Sequence, residues 1–132
     1  MTKSIKDYAD SYVELFGHMP PMPDGRFKLL ADLDPEALLT GERLREKAFY
    51  SDVFDGKQTQ LTLFGMLLIQ GHPAAEHHAK AALREGASWE ELAKIVELAS
   101  VTGYLFSANR GFSMLNGLRE QGKDPAKADA KS

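Results

Sequence analysis

Apolar residues recur at helical spacing along most of the chain. Between residues 4 and 16, Ile5, Tyr8, Tyr12, Leu15 and Phe16 repeat every three or four positions. Ser4 and Asp7 suit a capping pair at one end of this run, and Gly17 suits an exit at the other. Asp34 before Pro35 predicts a second helix start, running to about Phe54 with Gly41 as a weak point. Between the two, HMPPMPDG at 18–25 is punctuated by prolines and is expected to be an extended connector leading to Phe27, Leu29 and Leu30. After a DGK turn at 55–57, residues 58–70 are almost wholly apolar over a helical length, which predicts an element buried on most sides. Pro73 restarts the chain as a histidine-rich helix that stops at Gly86. Ser88 and Glu91 then form a capping box for a last helix with Leu92, Ile95, Val96, Ala99 and Phe106 on one stripe. The closing REQGKDPAKADAKS, 119–132, has no periodicity and is expected to be a flexible tail. With no hairpin signal and no repeat, the pattern predicts an all-α, single-domain helical bundle over residues 1–118.

Composition narrows the chemistry more than the fold. The 132 residues carry a formal net charge of -3 with both signs interspersed, which gives no phosphate-tracking surface and argues against nucleic acid as a partner. There is no cysteine, so thiol redox catalysis, disulfides and cysteine-ligated zinc are excluded together. The start MTKSIKDYAD has no apolar signal region, and the run LTLFGMLLI at 61–69 is too short to span a bilayer. The expectation is a soluble cytoplasmic protein with no membrane partner.

Three of the four histidines fall within GHPAAEHHAKAALREG, 71–86. At about 100° per residue, Ala75, Ala79, Ala82 and Leu83 share an apolar stripe, while Glu76, His77, Lys80 and Arg84 share the opposite arc, so His77 is expected in solvent. His78 lies on the border of the stripe with Ala74, Ala75, Ala81 and Ala82 as its helical neighbours. Spacing leaves two readings open: a half-buried histidine bonded to a backbone carbonyl, or an imidazole with room for a ligand beside it. A metal site would need His72 to converge with Glu76 or His78, and His72 precedes the helix start, so no metal is expected.

Other polar residues carry the same ambiguity. Gln60 opens the apolar segment, either as a solvated first-turn amide or as an amide facing the same pocket as His78. Arg110 continues the stripe of Leu92, Ala99, Gly103 and Phe106, which puts its guanidinium on the apolar azimuth if the helix persists. There it would serve as a carboxylate clamp or an inter-subunit ion pair. Trp89 and Tyr104 suit packing or oligomer contacts, with Tyr104 also a substrate-contact candidate.

Residues 60–104 resemble the carboxymuconolactone decarboxylase family, whose helical fold is shared with alkylhydroperoxidase D-like proteins. The most specific part is His78-Ala79-Lys80-Ala81-Ala82-Leu83, followed by Gly86 and by Ser88-Trp89-Glu90-Glu91-Leu92. DLDPEALL at 32–39 is similar to the segment leading into the family core. The peroxidase branch has two cysteines before its histidine, where this chain has Gly71 and Ala74. Peroxide reduction through a disulfide is therefore excluded. The decarboxylase branch usually reads Arg-Glu-Leu where this chain has Thr59-Gln60-Leu61, an amide in place of an acid. Its aromatic-x-Gly-x-Pro-x-Ala pattern is replaced by Val101-Thr102-Gly103-Tyr104-Leu105-Phe106-Ser107.

The resemblance implies a cofactor-free decarboxylation in aromatic-compound catabolism, on a small carboxylated lactone such as 4-carboxymuconolactone. In that reading His78 donates the proton, Gln60 hydrogen-bonds the developing oxyanion and Arg110 holds a carboxylate, with His72 and Glu76 assisting. Members of the family form trimers and hexamers, which implies a homotrimer or homohexamer with the pocket near a subunit contact. Two alternatives stay open: a related lyase, isomerase or hydrolase on another small ring carboxylate, and a non-catalytic helical oligomer.

Overall fold

In a computed structural model, which describes residues 2–122, four of the six helices begin where a short polar side chain, Ser4, Asp34, Asp55 or Ser88, satisfies an orphan amide. Ser4 and Asp7 bond reciprocally to start α1 (Ile5–Phe16), and Gly17 ends it at φ 83° with its N–H on the Val13 carbonyl. The prolines of the 18–25 stretch open a helix rather than an extended connector. Pro21 takes the first position of α2 (Pro21–Leu33), where the N–H that proline lacks would have had no partner.

Asp34 ends α2 and starts α3 (Pro35–Phe49), its Oδ1 accepting the Ala37 N–H at 3.1 Å. This helix runs unbroken through Gly41 but stops at Phe49, short of Phe54. The chain turns there because Ser51 Oγ takes the Val53 N–H and Asp55 is committed to a capping box with Gln58 at the start of α4 (Gly56–Ile69). α5 (Ala75–Arg84) and α6 (Trp89–Glu120) follow, the latter capped by Ser88 and Glu91. The described residues hold these six helices and no strand. None is long and apolar enough to cross a membrane. Of the expected tail, Arg119 and Glu120 belong to α6, and 123–132 lie outside the described residues.

Two apolar clusters form the core. Tyr8, Tyr12, Leu15, Phe16, Phe27 and Leu38 join α1, α2 and α3, and Ala81 of α5 belongs with them. Phe64, Ala75, Ala82, Ala87 and Leu92 join α4, α5 and α6. The alanines of α5 thus serve two sides: Ala81 and Ala82, both fully buried, face different clusters, and their small side chains let helices approach on either flank. α5 is the seam of the molecule, and His78 sits in it.

α4 and α6 are less covered than their apolar sequences predict. α4 buries Thr59, Gln60 and Phe64 but leaves Met66 and Ile69 more than half exposed. In α6 only Leu92 is buried, although the helix extends about 48 Å at the usual rise per residue.

Candidate active site

Spacing places His78 on α5 and Gln60 on α4, and the packing of these two helices brings them together. His78 Nδ1 lies 2.7 Å from Gln60 Oε1, and the residues are 7% and 2% exposed. A carbonyl oxygen can only accept, so Nδ1 carries the hydrogen and Nε2 keeps a lone pair. Phe16 of α1 and Phe49 of α3 meet the imidazole edge-on, at centroid distances of 5.2 and 6.0 Å. Burial among these rings lowers the His78 pKa to about 4, and the positive fields of His77, Arg45 and His72 push the same way. The imidazole is neutral at pH 7, and the Gln60 amide offers no countercharge to change that.

His78 opens onto a cavity of about 650 Å³ whose other walls come from three further helices and from the turn at 72–74. α1 gives Tyr12 and Phe16, α2 gives Arg26 and its proline-rich start, and α3 gives Arg45 and Phe49. Behind the arginines Glu42, 1% exposed, gathers the polar contacts. Arg26 Nη2 donates to its Oε2 at 2.9 Å, Tyr12 donates its hydroxyl to the same oxygen at 3.0 Å, and Arg45 Nη1 reaches Oε1 at 3.5 Å. Burial pushes the Tyr12 phenol up to about 12, with Glu42 adding to the rise and Arg45 and Arg26 opposing it. The Arg45 guanidinium lies 3.7 Å over the Tyr12 ring, bonds Ser11 Oγ at 3.2 Å through Nη1, and leaves Nη2 buried with no partner.

Not every residue singled out from sequence comes to this cavity. His72 lines it, with Nδ1 accepting the Ala74 N–H at 3.0 Å. Gln60 stands behind His78 rather than among the residues that line the cavity, its amide oxygen on the imidazole. Glu76 is exposed and pairs with Lys80 at 3.7 Å. Tyr104, midway along α6, and Arg110, beyond it, are exposed and away from the cavity lining. The α6 helix does persist to Arg110, as the inward reading required, but no part of the described domain lies opposite that stretch. His77 is half-buried instead of solvated, because Phe16 and His18 cover its ring at 6.0 and 5.8 Å.

Arg26, Glu42, Arg45 and Phe49 are the residues that sequence reading missed. Their signal was present: Leu38, Glu42, Arg45 and Phe49 fall at helical intervals on one face of α3. Two charges on an apolar stripe mark a buried ionic site as much as Arg110 marks an inward arginine.

No curated protein and no solved structure gives a match to this sequence. The model of the carboxymuconolactone decarboxylase family matches residues 35–127. That span takes in α3, α4, α5 and α6, and with them Arg45, Phe49, Gln60 and His78, while Tyr12, Phe16 and Arg26 come from helices that precede it. With well over half of its length matched, the chain belongs to the carboxymuconolactone decarboxylase family.

Proposed function

We propose that this protein is a cofactor-free decarboxylase of a small carboxylated lactone such as 4-carboxymuconolactone, acting in aromatic-compound catabolism in the cytoplasm. The observation that carries the proposal is the buried His78–Gln60 pair at the wall of a cavity of small-molecule size, in a chain of this family.

Loss of carbon dioxide from a carboxylate leaves an electron pair, and an unsaturated lactone carbonyl can accept it as a dienolate. One proton is then taken up at carbon for each carbon dioxide released. Gln60 acts as a positioning residue, fixing the Nδ1–H tautomer so that Nε2 is the nitrogen left for the ligand. His78 acquires its proton when the substrate's negative charge enters the cavity and passes it to the dienolate carbon. The apolar walls of Phe16 and Phe49 keep water from that carbon, where it would compete for the proton.

Purified protein with no added cofactor is expected to release carbon dioxide from 4-carboxymuconolactone and form the enol-lactone. Absence of release would discard this substrate. The Gln60 amide, which cannot share a proton as an acid would, favours the second reading, a related lyase, isomerase or hydrolase acting on another small ring carboxylate.

The proposal includes a homotrimer or homohexamer. Tyr104, Phe106, Phe112, Met114 and Leu115 are each more than half exposed on α6, distributed around a helix end that further copies would cover. Sedimentation at micromolar concentration is expected to give a trimer or hexamer, and a monomer would remove this part of the proposal.

A further inference from the structure

The charges around the cavity do not balance. Among the described residues its wall presents two guanidinium groups, Arg26 and Arg45, and no carboxylate. Among the described residues the only carboxylate bonded to them is Glu42, which is shared by both and lies behind the wall rather than on it. A half-buried group with one positive charge in excess is stable only if something compensates it.

Within this cluster the two arginines are placed differently. Arg26 has its Nη2 satisfied by both Glu42 and Tyr12, and its side chain is 38% exposed. Arg45 is 11% exposed, its pair with Glu42 is long at 3.5 Å, and its Nη2 is buried with nothing to accept its hydrogens. Tyr12 below and Phe49 beside it hold the guanidinium flat, so the charge that Arg45 brings to the cavity wall is fixed in place.

We propose that Arg45, flanked by Arg26, anchors the carboxylate of the ligand, which makes the cavity a site for a small cyclic carboxylate. A planar carboxylate matches the planar fork of a guanidinium, and the ligand's ring faces Phe16, Phe49 and the prolines of α2. As the anchor of the decarboxylated substrate Arg45 rests on the preceding proposal, whereas the anion site rests on the charge arrangement alone.

The groups that hold the His78 imidazole neutral are burial, His77 and His72 from its own side, and Arg45 from α3; α1 and α4 face it with the uncharged Phe16 and Gln60. Burial is the largest of these causes and persists, but a carboxylate on Arg45 offsets the Arg45 field, so the His78 titration midpoint rises as the ligand binds. The anchor thus prepares the proton donor only when there is a substrate to receive the proton.

Benzoate and its neutral isostere benzamide test the anchor on the intact chain. Benzoate is expected to bind more tightly than benzamide. Arg45→Met is expected to weaken benzoate roughly tenfold to a hundredfold, the range of a charge-assisted hydrogen bond, and to leave benzamide unchanged. In the unmodified protein, which removes any concern over folding of the variant, benzoate but not benzamide raises the His78 titration midpoint followed by NMR. Equal binding of benzoate and benzamide, equal binding of benzoate by the variant, or an unmoved His78 midpoint would each overturn the anchor. Carbon dioxide release without benzoate selectivity overturns the anchor and leaves the decarboxylase. Benzoate selectivity without carbon dioxide release keeps the anion site and discards the decarboxylase.

Discussion

His78 and Arg110 are both polar residues placed by helical spacing against an apolar stripe, and the fold treats them in opposite ways. Around His78, α5 is flanked by two clusters, and the imidazole ends 7% exposed with its Nδ1 on Gln60. Around Arg110, α6 has run past the body of the domain, and the same azimuth faces open space. Periodicity says which side of a helix a residue occupies. Whether anything lies on that side depends on the partners of the helix, and α5 has them where the second half of α6 does not.

The comparison is broken most forcefully at the ionic cluster. Glu42→Ala removes the one carboxylate that serves Arg26, Arg45 and Tyr12, and should cost about 3–5 kcal/mol in chemical denaturation. A cost below 1 kcal/mol would show the cluster to be far wetter than its burial implies.

The next effect is in acid. With a folded pKa of about 4 against an ordinary value near 6.5, His78 takes up its proton in the unfolded chain first as pH falls. Above pH 6.5 the imidazole is neutral in both states and contributes no pH dependence. Between 6.5 and 4 stability is lost as pH falls, by up to about 3 kcal/mol, and below 4 the loss levels off. Melting temperature against pH in wild type and His78→Gln checks this, because the variant should lack that share of the slope.

Gln60→Glu sharpens the electrostatics by giving the imidazole a carboxylate partner. The His78 midpoint should rise by about 1 unit or more in an NMR titration, since an opposite charge in hydrogen-bond contact favours the imidazolium. A fall would mean that the added carboxyl is itself protonated in its buried place.

Arg110→Met should produce the smallest change, within about 0.5 kcal/mol in denaturation and with no change in benzoate binding, as expected of an exposed side chain. A larger effect on the assembled protein would place Arg110 at a contact between copies.

Much of the fold was legible because its signals are local. Capping residues at Ser4, Asp34 and Ser88 and the left-handed glycines Gly17 and Gly86 act within one helical turn, so the starts of α1, α3 and α6 and the ends of α1 and α5 follow from them. The prolines at 20–23 were ambiguous for a physical reason: the residue that breaks a helix interior also suits its first turn. Burial was less legible, because residues 58–70 and the α6 stripe are apolar enough for an interior and yet lie half-open in one chain.

For the site, His78 and Gln60 could be picked out as polar residues beside apolar stripes, but their 2.7 Å contact depends on how α4 and α5 cross. Arg45 was harder, because its meaning lies in what it lacks. A donor without an acceptor is a property of three packed helices and of no one segment.

The measurement that bears most directly on the account is the rate of carbon dioxide release from 4-carboxymuconolactone by wild type and by a folded His78→Gln variant at equal substrate occupancy. If His78 carries the proton, the variant falls by roughly 100-fold or more, the usual worth of a placed acid or base. A variant that turns over as fast as wild type would contradict it.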